Sequence, residues 1–134
     1  MGKRRDLEGP IHRAILNYLR RQYPRALVHH SPNENTMKGP DVARLISRNK
    51  SLGMVPGFPD IIMLHEGALF AFEVKTPRGR ATPDQSAVGA IIEANHGVWA
   101  VVRSIDEVKA VIEATKDLGP VLGMGRTMVE GAVV

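Results

Sequence analysis

The sequence predicts an α/β fold, in which helices flank a mixed central β-sheet. Segments with helical periodicity alternate along the chain with short apolar runs that suit strands. Two of these runs, residues 61–64 and 69–72, are separated by only four residues, a spacing typical of a hairpin. The hairpin is therefore predicted to form the middle of the sheet. With 134 residues, 43% of them hydrophobic, the chain suits a single domain spanning residues 1–134 around one core.

The first half predicts two helices and one strand. Residues 8–23 carry apolar side chains at helical spacing, Pro10 suits the first turn of that helix, and Pro24 ends it. The elements that follow are a short strand at 26–30, a polar loop at 31–39 and a helix at 41–52 that stops near Gly53.

The second half predicts two more helices and a buried strand. Thr82 suits the N-cap of a helix that Pro83 opens and that ends near Asn95. The remaining elements are a strand at 98–102 and a last helix that starts after the capping box of Ser104 and Glu107 and ends near Leu118. Residues 119–134 show no clear period, so an irregular tail or an arm used in association is expected.

The hairpin carries an acidic motif at its open end. Asp60 follows Gly57-Phe58-Pro59 at the start of one strand, and Glu73-Val74-Lys75 begins thirteen residues later, at the end of the other. The start of one hairpin strand lies beside the end of its partner, so Asp60 and Glu73 are expected to meet. Side chains alternate along a strand, which puts Glu73 and Lys75 on one face and Val74 in the core.

Two carboxylates and a lysine in this arrangement suit metal-assisted hydrolysis of phosphodiesters. Magnesium prefers oxygen ligands and keeps several waters, so Asp60, Glu73, the backbone carbonyl of Val74, water and a substrate phosphate would suffice. Lys75 would orient water or neutralise developing charge. The alternative is a solvated charge pair worth little. The strongly apolar surroundings favour the site, because unpaired charges are costly there.

Charge and composition point to a nucleic-acid substrate. Residues 1–80 hold 14 Lys or Arg against 7 Asp or Glu, whereas residues 81–134 hold 4 against 7. The basic half contains the proposed site, and clustered cations bind a polyanion through its backbone. The cations expected to contact DNA are Arg78, Arg80, Arg44, Arg48 and Lys50. Arg20, Arg21, Arg25 and the run 3–5 have the simpler interpretation of solvated surface charges, whereas Arg78 and Arg80 are favoured because they follow the Glu-x-Lys strand directly.

Other classes of protein are disfavoured. The chain has no cysteine, which excludes disulfides, thiolate zinc sites and a cysteine nucleophile and suits a reducing cytoplasm. No apolar run approaches the length of a membrane span, and no signal region follows the basic start. The adjacent His29 and His30 face opposite sides of a strand, so at most one would serve a given site. His12, His65 and His96 lack ligand spacing and are expected to be surface or hydrogen-bonded residues.

Over residues 8–103 the chain resembles the VRR-NUC branch of the PD-(D/E)xK nuclease superfamily. The resemblance is carried by Gly57-Phe58-Pro59-Asp60, Glu73-Val74-Lys75, Gly79-Arg80 and Gln85, with Glu8, Asn33-Glu34-Asn35 and the segment 52–57 upstream. One departure is Gly89, where relatives commonly have a second glutamine in a Q-x-x-x-Q pattern. The similarity is to small stand-alone members, often encoded by bacteriophages.

This resemblance implies a restriction-endonuclease-like core with the site at one edge of its sheet. It also implies Mg²⁺ or Mn²⁺ as cofactor, Glu8 as a further metal ligand and Gln85 in the site, on the first turn of its helix. The expected activity is a structure-specific DNA endonuclease acting as a homodimer on branched DNA such as four-way (Holliday) junctions, in the cytoplasm, with 5′-phosphate products. Two alternatives stay open: a nuclease on linear duplex or single-stranded DNA, and a non-catalytic DNA-binding module.

Overall fold

The computed structural model describes residues 7–32 and 39–117. The elements follow in the order α1 Glu8–Gln22, β1 Leu27–His30, α2 Pro40–Ser51, β2 Ile61–His65, β3 Ala68–Val74, α3 Pro83–Ala94, β4 Val98–Val102 and α4 Ile105–Asp117. Each predicted helix and strand is confirmed within these residues, with bounds that shift by one or two positions. The tail at 119–134 and the Asn33-Glu34-Asn35 segment lie outside the described residues.

The four strands form one mixed sheet in the order β1-β2-β3-β4. β1, β2 and β3 are successively antiparallel, whereas β4 runs parallel to β3, to which α3 connects it. The predicted hairpin of β2 and β3 therefore occupies the middle of the sheet, as expected. In its register Ile61 pairs with Phe72.

The two faces of the sheet are covered differently. On one face, α1 and α4 pack against the strands to form a buried cluster that consists of Ile15, Leu19, Val28, Ile61, Met63, Phe70, Phe72, Val74, Val102, Val108 and Ile112. Val74 is fully buried in this cluster, which confirms the predicted inward direction of its side chain. The alternating residues of β3, Ala71 and Glu73, point to the opposite face, which α3 covers.

Helix α2 packs only loosely, since none of its side chains is fully buried. Within the described part of the chain, no helix has the length and apolar character that crossing a membrane requires.

Candidate functional site

Asp60 and Glu73 face each other at the edge of the sheet where β2 begins and β3 ends. Continuing the Ile61–Phe72 pairing by one residue sets Asp60 opposite Glu73, with both side chains on the α3 face. The Oδ2 atom of Asp60 accepts a hydrogen bond of 2.8 Å from the backbone N–H of Val74. Only 8% of Asp60 and 1% of Glu73 is exposed. The sequence prediction that these two acids meet is confirmed, and the structure shows that they meet in a buried position.

Gln85 holds the Glu73 carboxyl from the first turn of α3. Its Nε2 atom donates a hydrogen bond of 2.9 Å to Glu73 Oε1, while its Oε1 atom accepts one of 2.8 Å from the backbone N–H of Thr82. The backbone N–H of Gln85 donates in turn to the Thr82 hydroxyl, which completes a capping box. Because the Gln85 carbonyl is occupied by the helix cap, its amide nitrogen has to point at Glu73.

The environment of Glu73 strongly favours its protonated form. Burial, followed by a hydrogen bond with the Asp60 carboxyl and repulsion by the Asp60 charge, raises the pKa of Glu73 from 4.5 to about 9. The ammonium of Lys75 acts in the opposite direction and lowers this pKa, and the carboxylate of Glu8 raises it. Without a cation, two adjacent carboxyls in this setting cannot both be ionised at neutral pH at low free-energy cost.

One oxygen of this carboxyl is buried without a hydrogen-bond donor. Glu73 Oε2 receives no hydrogen bond from an amide, hydroxyl or cationic donor among the described residues, and the Asp60 carboxyl can hydrogen-bond to Glu73 only while one of the two carboxyls carries a proton. A buried acceptor without a donor is costly, and a hard divalent cation would satisfy it. The pair therefore fits Mg²⁺ or Mn²⁺ by the chemistry of its oxygen atoms. Within residues 7–32 and 39–117, no group of three or more His, Cys, Asp or Glu side chains is arranged to hold a metal. The described residues would thus supply two direct carboxylate ligands, and the remaining positions would fall to a backbone carbonyl, water and substrate oxygens.

Lys75 and Glu8 lie within electrostatic range of the pair, as their effects on the pKa of Glu73 show. Lys75 directly follows β3 and is half-buried, and its backbone N–H donates a hydrogen bond of 3.0 Å to the carbonyl of Val102. Glu8 is exposed at the start of α1. The structure therefore brings the other four predicted catalytic residues around Glu73. Two of them, Asp60 and Gln85, hydrogen-bond to it directly.

Gly57, the first residue of the acidic motif, fixes the motif against α3. Its φ is +79°, and a Cβ atom added there would lie 2.5 Å from the backbone carbon of Asp84 and 2.7 Å from the backbone nitrogen of Gln85. Only glycine allows both this conformation and this approach. Sequence reasoning treated Gly57 as part of a motif and missed this contact, for which the glycine itself was the available signal.

The missing second glutamine also has a structural reason. A Cβ atom on Gly89, one turn after Gln85, would lie 2.4 Å from the indole ring of Trp99 on β4. Gly89 is therefore the position where α3 packs against the sheet, and it leaves room for the indole. At this helix position the chain presents a packing surface instead of a polar side chain.

Two solved structures share this architecture. One, named "VRR_NUC domain protein", matches with a TM-score of 0.61 and 22% identity over 84% of this chain and 89% of its own. The other, named "VRR_NUC domain", matches with a TM-score of 0.54 and 19% identity over 80% of this chain and 95% of its own. The fold is that of a VRR_NUC domain. The predicted restriction-endonuclease-like α/β fold is thereby confirmed. The sequence itself matches no family model and no curated protein.

On this VRR_NUC fold, the predicted DNA-binding cations lie in two places. Arg78 and Arg80 are exposed in the loop after β3, and Arg44, Arg48 and Lys50 are exposed on α2. The loop after β3 is braced by Arg103, whose guanidinium donates a hydrogen bond of 2.9 Å to the carbonyl of Gly79. Sequence analysis did not single out Arg103, because its partner is 24 residues away in the chain.

A groove lies next to Gln85, between α2, the acidic motif and the start of α3. It encloses about 920 Å³, and its walls include Ile46, Lys50, Met54, Phe58, Asp84 and Gln85. Phe58 is 37% exposed, although it belongs to the acidic motif. The groove thus runs from Lys50 on α2 to Gln85, the hydrogen-bond partner of Glu73.

Two histidines that are 18 residues apart in the sequence are in contact. His30 Nδ1 and His12 Nε2 are 3.0 Å apart, and the two rings meet edge to face. Burial, the neighbouring His30 and Arg13 lower the pKa of His12, whereas the charge of Asp60 raises it. The expectation that His12 is a hydrogen-bonded histidine is confirmed, but its partner was not foreseen.

Proposed function

We propose that this chain is a divalent-metal-dependent DNA endonuclease that hydrolyses phosphodiester bonds at Asp60 and Glu73. The observation that carries the proposal is the buried carboxyl pair, in which the pKa of Glu73 is raised to about 9 and its Oε2 atom has no amide, hydroxyl or cationic donor among the described residues. A divalent cation would lower the free-energy cost of ionising both carboxyls at the same time. The likeness to VRR_NUC domains supports the same conclusion.

The residues have distinct roles in this proposal. Asp60 and Glu73 hold Mg²⁺ or Mn²⁺, with the Val74 carbonyl as a further ligand. Glu8 belongs to the same set, directly or through water. When bound, the ion supplies Lewis acidity, which polarises the phosphoryl group and lowers the pKa of water. Lys75 orients the attacking water and neutralises charge that develops on the phosphate.

Gln85 acts as a positioning residue in the proposed site. It keeps Glu73 Oε1 in place through its 2.9 Å hydrogen bond. It leaves Oε2 to face the cation. A ligand whose orientation is fixed by a hydrogen bond binds its metal more tightly.

The proposed substrate is branched DNA, such as a four-way junction, bound by a homodimer in the cytoplasm of a bacterial host. Exposed Arg78 and Arg80 on one side and the cations of α2 on the other would contact phosphates of separate strands. A two-fold dimer presents two sites to two strands of a junction. The alternative substrate is linear duplex or single-stranded DNA, which the same chemistry would cut.

Cleavage of a panel of end-labelled DNAs tests this function. The panel holds single strand, duplex, flap, fork and four-way junction, each with Mg²⁺, Mn²⁺ or a chelator. We expect metal-dependent cutting with the junction preferred, 5′-phosphate ends, a dimer by light scattering, and loss of cutting in Glu73→Gln. Glu93→Gln, which changes an exposed carboxylate on α3 outside the groove, is the matched control and should cut normally. DNA binding without any cutting would leave only a DNA-binding module.

A further inference from the structure

The His12–His30 pair lies at the same end of the sheet as the carboxyl pair, but on the α1 face, and takes no part in the role proposed for the carboxyls. His30 is the last residue of β1 and pairs with Ile61, the residue that follows Asp60. His12 lies one turn after Glu8 on α1, and the charge of Asp60 reaches it. Both rings are accessible, because His30 is exposed and His12 is half-buried.

The spacing of the two facing nitrogens suits a shared metal ion. Imidazole nitrogens bind zinc and similar ions at about 2.0–2.1 Å. Two such bonds at the right angle of an octahedral site would place their nitrogens about 3.0 Å apart, and tetrahedral bonds of the same length would place them about 3.3 Å apart. The observed separation of His30 Nδ1 and His12 Nε2 is 3.0 Å. The hydrogen-bond distance is therefore also the separation of two adjacent ligands of one octahedral ion, which the rings would bind after turning both lone pairs toward it.

We propose that His12 and His30 form a second metal site, which binds a transition-metal ion such as Mn²⁺, Co²⁺, Ni²⁺ or Zn²⁺ through His12 Nε2 and His30 Nδ1. Imidazole ligands suit these ions, whereas Mg²⁺ prefers oxygen. Water or a phosphate oxygen completes the coordination. The nearby negative charge of Asp60 attracts the cation. This site goes beyond the proposed nuclease activity and does not depend on it.

Metal binding would move one proton from the inner to the outer nitrogen of one histidine ring. In the neutral pair one facing nitrogen carries a hydrogen and donates it to the other. When the metal binds, that ring gives up this proton and takes one from water on its outer nitrogen. Both rings stay neutral, both lone pairs face the ion, and no net proton is released.

Titration of the full-length chain with Co²⁺, followed by visible absorption, tests the site in the Glu73→Gln background. This background weakens the carboxyl site and leaves Asp60 in place. We expect one Co²⁺ bound per chain, displaced by Zn²⁺ but not by millimolar Mg²⁺. His12→Gln and His30→Gln should each weaken Co²⁺ binding at least tenfold, with folding checked by circular dichroism.

His29→Gln is the matched control. His29 is an exposed histidine next to His30, but it points to the opposite face of β1, so its loss should leave Co²⁺ affinity unchanged. Three results would overturn the site: no Co²⁺ binding, binding that survives both His12→Gln and His30→Gln, or an equal loss in His29→Gln. Because the background lacks the proposed catalytic carboxylate, these results are independent of whether the chain is a nuclease.

Discussion

Gln85 on α3 donates a 2.9 Å hydrogen bond to Glu73 on β3, and its own carbonyl is held by the start of its helix. The same side chain therefore caps a helix and orients a buried carboxyl. The motif loop packs closely on the same turn of α3, at Gly57. Folding of the helix start and orientation of the site are one structural event.

Replacing Gln85 by alanine should affect stability and activity together. The side-chain half of the capping box is lost, which costs about 1 kcal/mol, and Glu73 Oε1 loses its donor, whereas the bond from the backbone N–H of residue 85 to the Thr82 hydroxyl is kept. We expect metal affinity or the cleavage rate to fall about 10- to 100-fold, as is usual when a residue that orients a metal ligand is lost. The control is Ser86→Ala, which changes an exposed neighbour on the same turn. A normal metal affinity and cleavage rate in Gln85→Ala would show that Gln85 has no role in the site.

The raised pKa of Glu73 makes the stability of the metal-free protein depend on pH. The folded-state pKa of about 9 lies above the ordinary value of 4.5, so the folded state binds more protons between these values. The contribution of Glu73 to stability is therefore greatest below about pH 4.5 and is lost as pH rises towards 9. Urea unfolding in chelator at several pH values measures this trend.

Glu73→Gln is the control for that pH dependence, since its amide cannot ionise. The variant should unfold at higher urea concentration than the parent protein at pH 8 and should lack the decline between pH 5 and 9 that the raised pKa produces. A parallel decline in both proteins would assign the pH dependence to other groups.

Gly57→Ala should destabilise the protein more than Gly53→Ala. Both glycines have positive φ, +79° and +111°, but a Cβ on Gly57 meets the backbone of α3 whereas one on Gly53 meets nothing within 4 Å. Both variants share the backbone strain, so the difference between their free energies of unfolding reports the contact with α3. We expect this difference to be about 1–3 kcal/mol. Thermal or urea unfolding compares the two variants. Equal losses of stability in the two variants would show that the motif loop can shift away from α3 at no cost.

Lys75→Ala should lower turnover more than metal affinity. The ammonium stabilises developing charge and does not ligate the ion, so we expect the cleavage rate at saturating metal to fall about 100-fold or more. Calorimetry on the same variant should give a metal affinity within a few-fold of the parent value. Lys109→Ala, a lysine on α4 that lies over the Tyr18 ring, serves as the control. If saturating metal restored the cleavage rate of Lys75→Ala, Lys75 would act in metal binding instead of turnover.

Local sequence signals predicted the elements and the meeting of Asp60 with Glu73. Alternation and hairpin spacing determine the register, and the register alone sets those two acids opposite each other. The position of Gln85 followed from its place in a capping turn. The His12–His30 contact and the hydrogen bond of Arg103 to Gly79 were missed. They join distant segments, and their geometry depends on how α1, β1 and β4 pack, which no local pattern encodes.

Proton release on metal binding tests the proposed carboxyl site most directly. At pH 7.5 Glu73 should be protonated, and a cation that binds to both carboxylates must displace this proton. Calorimetric titration with Mn²⁺ in two buffers of different ionisation enthalpy gives the number of protons released. In a His12→Gln background, which removes the histidine pair, we predict close to one proton per bound Mn²⁺, and neither binding nor release in the further variant Glu73→Gln. Mn²⁺ binding without proton release, or equal binding in Glu73→Gln, would contradict the claim that the buried carboxyl pair is a metal site.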